Sequence, residues 1–184
     1  EDKAAIQAWK ERVGHKEAER IKNEASSRGS SMHSYIEQFL LGKFNLDLLD
    51  EENKSKKMAV EIIDNGLKNK LTEIWGAEAT VYYPGKYAGT ADCIGVYEGK
   101  ETILDFKQSN KPKKEEYIED YFLQIGAYSL AHNTVHNSKI TQGVILICTV
   151  DRLFQDFKIE ENVLKNYQNK FLEKVEQFYQ ITGR

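Results

Sequence analysis

The stretch Gly143-Val144-Ile145-Leu146-Ile147-Cys148-Thr149-Val150 is an almost unbroken apolar run. A strand with one face in water alternates apolar and polar side chains, whereas a run apolar on both faces belongs at the centre of a covered sheet. Such a sheet needs helices on both sides, and the rest of the chain supplies them. Ile6 and Trp9 share a helical face, Met32, Tyr35, Ile36, Phe39 and Leu40 recur at helical spacing, and so do Met58, Ile62, Ile63, Leu67 and Leu71. The first 75 residues therefore read as helices, with Gly29, Ser30 and Ser31 supplying a break and N-cap hydroxyls that start a helix near Ser31. From Ala79 to Tyr83, Ala91 to Tyr97 and Thr102 to Phe106 the period changes to that of short strands, punctuated by Pro84-Gly85, Gly89 and Glu98-Gly99. A helix from about Glu115 to Ala131 follows, and Glu115, Glu116, Glu119 and Asp120 suit the positive end of its dipole. Leu153 to Ile159 reads as an edge strand beside the apolar run, and Val163, Tyr167, Phe171, Val175 and Phe178 mark a closing amphipathic helix. The expected fold class is α/β, a mixed central β-sheet flanked by helices, with a helical N-terminal extension.

Nothing in the chain marks an internal boundary. Only two prolines occur and no repeat or Gly/Ser-rich linker is present, so residues 1–184 are expected to form one domain, helical over 1–75 and sheet-built over 76–184. A composition 40% hydrophobic and 30% charged is that of a globular chain able to bury a core without staples. No apolar run approaches the roughly 20 residues that cross a bilayer, and no signal-peptide pattern opens the sequence. Cys93 and Cys148 are too few for a disulfide framework or a four-cysteine cluster. The expectation is an intracellular, cytoplasmic protein that takes no membrane partner and is not secreted.

Chemistry concentrates in the hairpin Gly89–Tyr97 and Glu101–Lys107. If Glu98-Gly99 is a two-residue turn, Tyr97 faces Lys100 and Asp92 lies across from Asp105, with β-carbons roughly 5 Å apart. Carboxylates that close repel unless a proton or cation lies between them, and a divalent metal is the natural guest. Lys107, two residues beyond Asp105, shares its face. A three-residue Tyr97-Glu98-Gly99 loop is also sound hairpin chemistry and would set Asp92 nearer Leu104. Asp-x-Lys is a common tripeptide and by itself favours a cross-strand charge cluster on an exposed face, but Ile103, Leu104 and Phe106 put Asp105 and Lys107 at the lip of a core. The glycine before Asp92 would let another backbone approach closely. His33 and Glu37 lie one helical turn apart, as do Gln124 and Tyr128, which share a stripe with Tyr117 and Tyr121.

These residues carry a resemblance. Arg28-Gly29-Ser30-x-x-His33-x-x-Ile36-Glu37, Gly89-Thr90-x-Asp92, Ile103-Leu104-Asp105-Phe106-Lys107 and Gln124-x-x-x-Tyr128, in that order, resemble motifs I to III and the Gln-x-x-x-Tyr signature of the PD-(D/E)XK nuclease superfamily, RecB-nuclease branch. The helical start with Trp9 and Arg12 is similar to compact stand-alone exonucleases of phages and mitochondria. The resemblance implies a restriction-endonuclease-like core in which Asp92, Asp105, the Phe106 carbonyl and His33 ligate Mg²⁺ or Mn²⁺. Oxygen ligands suit both ions, and one imidazole favours Mn²⁺. Lys107 would position or deprotonate the attacking water, Gln124 would steer Lys107 or a phosphate, Tyr128 would brace Gln124, and Glu37 would support His33 or a nearby base. The third-motif acid is Asp rather than Glu, and Gln108 stands where many relatives carry Thr. Relatives with an iron–sulfur cluster use four cysteines, so none is expected here.

A chain with 26 Lys and Arg against 29 Asp and Glu needs local cations to bind a polyanion. The segment DFKQSNKPKK following the second acid provides Lys111, Lys113 and Lys114 as candidates to track phosphates, with Ser109, Arg28 and Ser30 beside them. Tyr117 and Tyr121 could stack on unpaired bases or pack under the loop. The leading expectation is a metal-dependent DNA exonuclease acting on single-stranded DNA or single-stranded ends. The alternatives are a structure-selective endonuclease of the same superfamily and a non-catalytic nucleic-acid-binding module.

Overall fold

The computed structural model describes residues 3–43 and 53–183. Helices α1 (Lys3–Val13), α2 (His15–Leu40) and α3 (Lys54–Ile62) precede a hairpin meander, β1 (Leu71–Tyr83), β2 (Tyr87–Tyr97) and β3 (Lys100–Ser109). Helix α4 (Glu119–His136) then crosses over to β4 (Gln142–Thr149), β5 (Phe154–Glu160) follows, and α5 (Glu161–Thr182) closes the described chain. Among the described residues the sheet has five strands in the order β1-β2-β3-β4-β5. Only β3 and β4 run parallel, so the sheet is mixed. Every residue of β4 is buried, as its apolar run requires.

Side chains alternate across the sheet and feed two cores. Leu104, Phe106, Val144 and Leu146 meet Met32 and Ile36 of α2 and Met58 and Ile62 of α3. On the other face Ile103, Ile145 and Ile147 meet Phe122 and Ile125 of α4 and Leu164 of α5. Asp105 and Lys107 fall on this second face by parity with Ile103, while Asp92 reaches back toward α2. The site thus sits at the end of β3 where the two layers meet. Among the described residues no helix is long and apolar enough to cross a membrane.

Three helix boundaries differ from the sequence reading. No break occurs at Gly29, Ser30 or Ser31, and α2 runs through them for 26 residues. A β-carbon on Gly29 would lie 3.3 Å from Gln108 Cγ. The glycine therefore brings α2 close to β3, and that packing offsets its helix cost of about 1 kcal/mol. Leu71 is not helical either. After α3 the chain passes through a π turn at Ile63–Leu67 whose Gly66 carbonyl accepts the Tyr97 hydroxyl at 2.7 Å. Asn69 then adopts a left-handed φ of 62°, and β1 starts at Leu71. Helix α4 begins at Glu119, after a short 3₁₀ turn at Glu115–Tyr117.

Candidate active site

Glu98 (φ 49°) and Gly99 (φ 80°) both lie in the left-handed region, the signature of a two-residue type I′ turn. Tyr97 pairs with Lys100 and the ladder runs without slippage to Cys93 and Leu104. The next pair in that register is Asp92 and Asp105, the first of the two hairpin readings. There the ladder gives way to side-chain chemistry, because Asp92 Oδ2 accepts the Phe106 backbone N–H at 2.8 Å. Phe106 buries its ring in the α2/α3 core. Asp105 is 5% exposed, and its Oδ2 is buried without a hydrogen-bond partner. The Lys107 ammonium lies 3.1 Å from that oxygen, close enough for an ion pair though outside hydrogen-bond geometry.

Helix α2 brings His33 to the other side of Asp92. Its Nδ1 is 2.9 Å from the Gly29 carbonyl oxygen and its Nε2 is 3.1 Å from Asp92 Oδ2. With both nitrogens facing acceptors the ring is best satisfied as an imidazolium. Burial pulls the His33 pKa down, but the hydrogen bond and charge of Asp92, helped by Gly29 and Asp105, carry it to about 9. Burial and then the Asp92 charge push Asp105 up to about 8, against the pull of Lys107. Burial also acts on Asp92, yet its bonds to His33, Asp105 and Phe106 leave it below the ordinary carboxylate range. Burial would discharge Lys107, but Asp105 and Asp92 hold its pKa above the ordinary value.

Behind Lys107 stands a relay on α4. The ammonium donates to Gln124 Oε1 at 3.3 Å, and Gln124 Nε2 donates to the Tyr128 hydroxyl at 3.0 Å. The Tyr121 ring lies under Lys107, 4.9 Å from centroid to nitrogen. Gly89 was expected to admit a neighbouring backbone, and the visitor is instead a side chain. A β-carbon there would stand 2.5 Å from Tyr128 Cε1, so the glycine makes room for the ring that ends the relay.

The outer candidates separate into distinct groups. Arg28 donates to Gln108 Oε1 at 3.3 Å and Asn110 Oδ1 at 2.8 Å, tying α2 to the end of β3. Ser30 is exposed on α2, as are Lys111, Lys114 and Tyr117 on the loop after β3. Lys113 is held through its backbone, whose N–H and carbonyl bond the Gln155 side chain of β5 at 2.8 and 2.9 Å. Ser109 does not face outward: it is buried, and its hydroxyl donates to the Lys111 carbonyl within a tight turn. That arrangement corrects its reading as a nucleic-acid contact. Glu37 is half-buried on the turn after His33.

One acid was absent from the sequence reading. Glu78 of β1 sits in register opposite Asp92, between the pairs Ala77–Cys93 and Ala79–Ala91. No local spacing signals it, because it enters through a long-range strand pairing.

The donor set fits a divalent cation. Two carboxylates, one with an orphaned buried oxygen, and an imidazole converge at the end of β3, and carboxylate oxygens are what Mg²⁺ and Mn²⁺ take. Among the described residues no group of three His, Cys, Asp or Glu already stands as a metal cage.

The unbalanced carboxyl predicts how stability responds to pH. Asp105 and His33 both bind their protons more tightly when folded than the unfolded values near 4 and 6.5. The stability each contributes is complete below its unfolded pKa and is lost as pH rises through about 8 for Asp105 and about 9 for His33. Without divalent ions, the melting temperature should therefore fall from pH 5 to pH 9, and Asp105→Asn should flatten the part below pH 8. A wild-type melting temperature that climbs over this interval would contradict the charge balance described.

Two acids and a lysine thus stand on adjoining strands of a mixed five-stranded sheet, with Gln-x-x-x-Tyr on the helix that crosses over to β4. In sequence the chain is similar to mitochondrial genome maintenance exonuclease 1 of Xenopus tropicalis, 28% identical over 162 residues, which cover 83% of this chain and 44% of that protein. The Homo sapiens protein of the same name is 27% identical over 156 residues, covering 79% and 44% respectively. The chain thus spans less than half the length of these curated relatives. In structure, a candidate exonuclease from Eubacterium rectale superposes with a TM-score of 0.52 at 16% identity, covering 82% of this chain and 64% of that one, a likeness of fold. No family model matches the chain.

Proposed function

We propose that this chain is a metal-dependent DNA exonuclease that hydrolyses phosphodiester bonds and prefers single-stranded ends. The observation that carries the reading is the buried Asp105, whose Oδ2 accepts no hydrogen bond and lies 3.1 Å from Lys107, itself held by Gln124 and Tyr128. Asp92, Asp105, His33 and the Phe106 carbonyl would hold Mg²⁺ or Mn²⁺. When bound, such an ion supplies a nucleophile at neutral pH and neutralises charge developing on the phosphate oxygens. Lys107, ion-paired to Asp105 and bonded to Gln124, would act on the attacking water or donate to the scissile phosphate. Gln124 and Tyr128 fix the ammonium in place, and the Tyr121 ring shields it from water.

A groove of about 1480 Å³ runs between α1–α2 and the segment from Asn110 to Asp120. Trp9 and Tyr117 line it, and Tyr117 is 73% exposed. Four lysines and four acids among its lining make the groove nearly neutral. Its suitability for a single strand therefore rests on aromatic rings available for stacking, which every base tolerates. Asn110 lines the groove, and Arg28 bonds both Asn110 and Gln108, the residue after Lys107. Phosphate attraction is left to Lys113 and Lys114 in the lining and to Lys111 beside them in the same loop.

The direct test is incubation of end-labelled linear and circular single-stranded DNA with Mg²⁺, Mn²⁺ or chelator. Shortening of linear DNA alone, abolished by chelator, is the expected result; cleavage of the circle would make the protein an endonuclease. Replacing Lys111, Lys113 and Lys114 together with glutamine should reduce the steepness of log K against log salt by about 2, at roughly 0.7 per single-strand phosphate contact. An unchanged slope would remove that loop from the binding path.

A further inference from the structure

We propose that Tyr121 is a positioning residue for Lys107: its ring face seats the ammonium, and the side chain is not a platform for nucleobases. The inference rests on the nuclease reading above and deepens it at a residue outside the four motifs. Tyr117 and Tyr121 share a stripe with Gln124 in the sequence, yet the fold sends the two rings to different places. Tyr117 is 73% exposed and lines the groove. Tyr121 does not belong to that lining; it packs against the apolar layer that holds Ile118 and Phe122. Its ring centroid stands 4.9 Å from Lys107 Nζ.

The ammonium needs such a seat because its polar contacts leave its position loose. The ion pair to Asp105 Oδ2 at 3.1 Å lies outside hydrogen-bond geometry, and the bond to Gln124 Oε1 is long at 3.3 Å. A lysine is a point charge on a flexible four-carbon stem, so a charge pair and one long bond do not fix where its nitrogen stands. Tyr121 and Gln124 lie one turn apart on α4 and therefore face the same way. The ring supplies a third contact, and the attraction of its negative face for a cation strengthens as water is removed. The Lys107 side chain is only 25% exposed, which places the contact toward the desolvated end of that range.

NMR of the lysine methylenes in the whole chain tests the contact without turnover, with Lys107→Ala assigning the signal. The ring current above an aromatic face moves nearby protons upfield. That shift should mark the Lys107 ε-methylene in wild type, persist in Tyr121→Phe and vanish in Tyr121→Leu, which keeps apolar bulk and suits a helix. In cleavage of linear single-stranded DNA, Tyr121→Leu should lower kcat about tenfold with KM unchanged, and Tyr121→Phe should restore the wild-type kcat. Thermal melting establishes that both variants fold. An ordinary Lys107 signal in wild type, or wild-type kcat in Tyr121→Leu, would overturn the role of Tyr121 and leave the nuclease reading standing. A raised KM with kcat intact would do the same, since that is the mark of a base-stacking platform. If wild type shows the upfield signal but cleaves no DNA with Mg²⁺ or Mn²⁺, the nuclease reading falls and takes this role with it.

Discussion

Asparagine at Asp92 is expected to abolish nuclease turnover while the chain stays folded. The amide oxygen still accepts the Phe106 N–H that Asp92 Oδ2 accepts at 2.8 Å, so the end of the β2–β3 ladder keeps its geometry. The charge is lost, and with it the anchor for a divalent ion and the partner that keeps His33 protonated. Charge stabilisation by a bound metal is worth several kcal/mol in the transition state, so the rate should fall by about 10³-fold or more. Lys107→Ala should produce a loss of similar order by another route. It removes the ammonium held between Asp105 and Gln124 and leaves the acids in place, so Mn²⁺ binding should survive in Lys107→Ala and fail in Asp92→Asn. Circular dichroism of both variants establishes folding, and wild-type turnover in either one would refute the site.

Gly95→Ala should have the largest effect on stability. A β-carbon there would lie 2.0 Å from the Glu73 carbonyl oxygen and 3.2 Å from Ile74 Cα, both backbone atoms of β1. A flexible side chain could turn aside; a paired strand cannot. Overpacking commonly costs 1–3 kcal/mol, and this contact belongs at about 3 kcal/mol or beyond. The register of β1 on β2 already slips between Ile74 and Gly76, opposite this glycine. The expected result is a lower denaturation midpoint together with displacement of the edge strand that carries Glu78. An unaltered midpoint would mean that β1 is not seated as described.

Much of the architecture could be read from local pattern because burial dictates the pattern. The apolar run beginning at Gly143 became β4, buried at every position. The period-two segments became β2 and β3, and Glu98-Gly99 made the tight turn that places Asp92 by Asp105. The errors share one cause. Gly29 reads locally as a helix breaker, yet α2 continues through it because β3 packs against that point. Leu71 fits the helical spacing of Leu67, but pairing with Tyr97 draws it into β1. Gly89 serves a tyrosine ring 39 residues further along rather than a backbone, and Ser109 spends its hydroxyl on its own turn.

By itself the sequence determined the α/β class, the hairpin and the order of His33, Asp92, Asp105, Lys107, Gln124 and Tyr128. Side-chain periodicity and turn chemistry are properties of neighbours along the chain, and they need no partner to be recognised. Only the tertiary structure decided that Asp105 Oδ2 is buried with an ion pair to Lys107 in place of a hydrogen bond, that Lys107 leans on Gln124, and that Asp92 bonds His33. Desolvation and charge coupling act through space over a few ångströms, and residues distant in sequence come within that range only after the strands have paired.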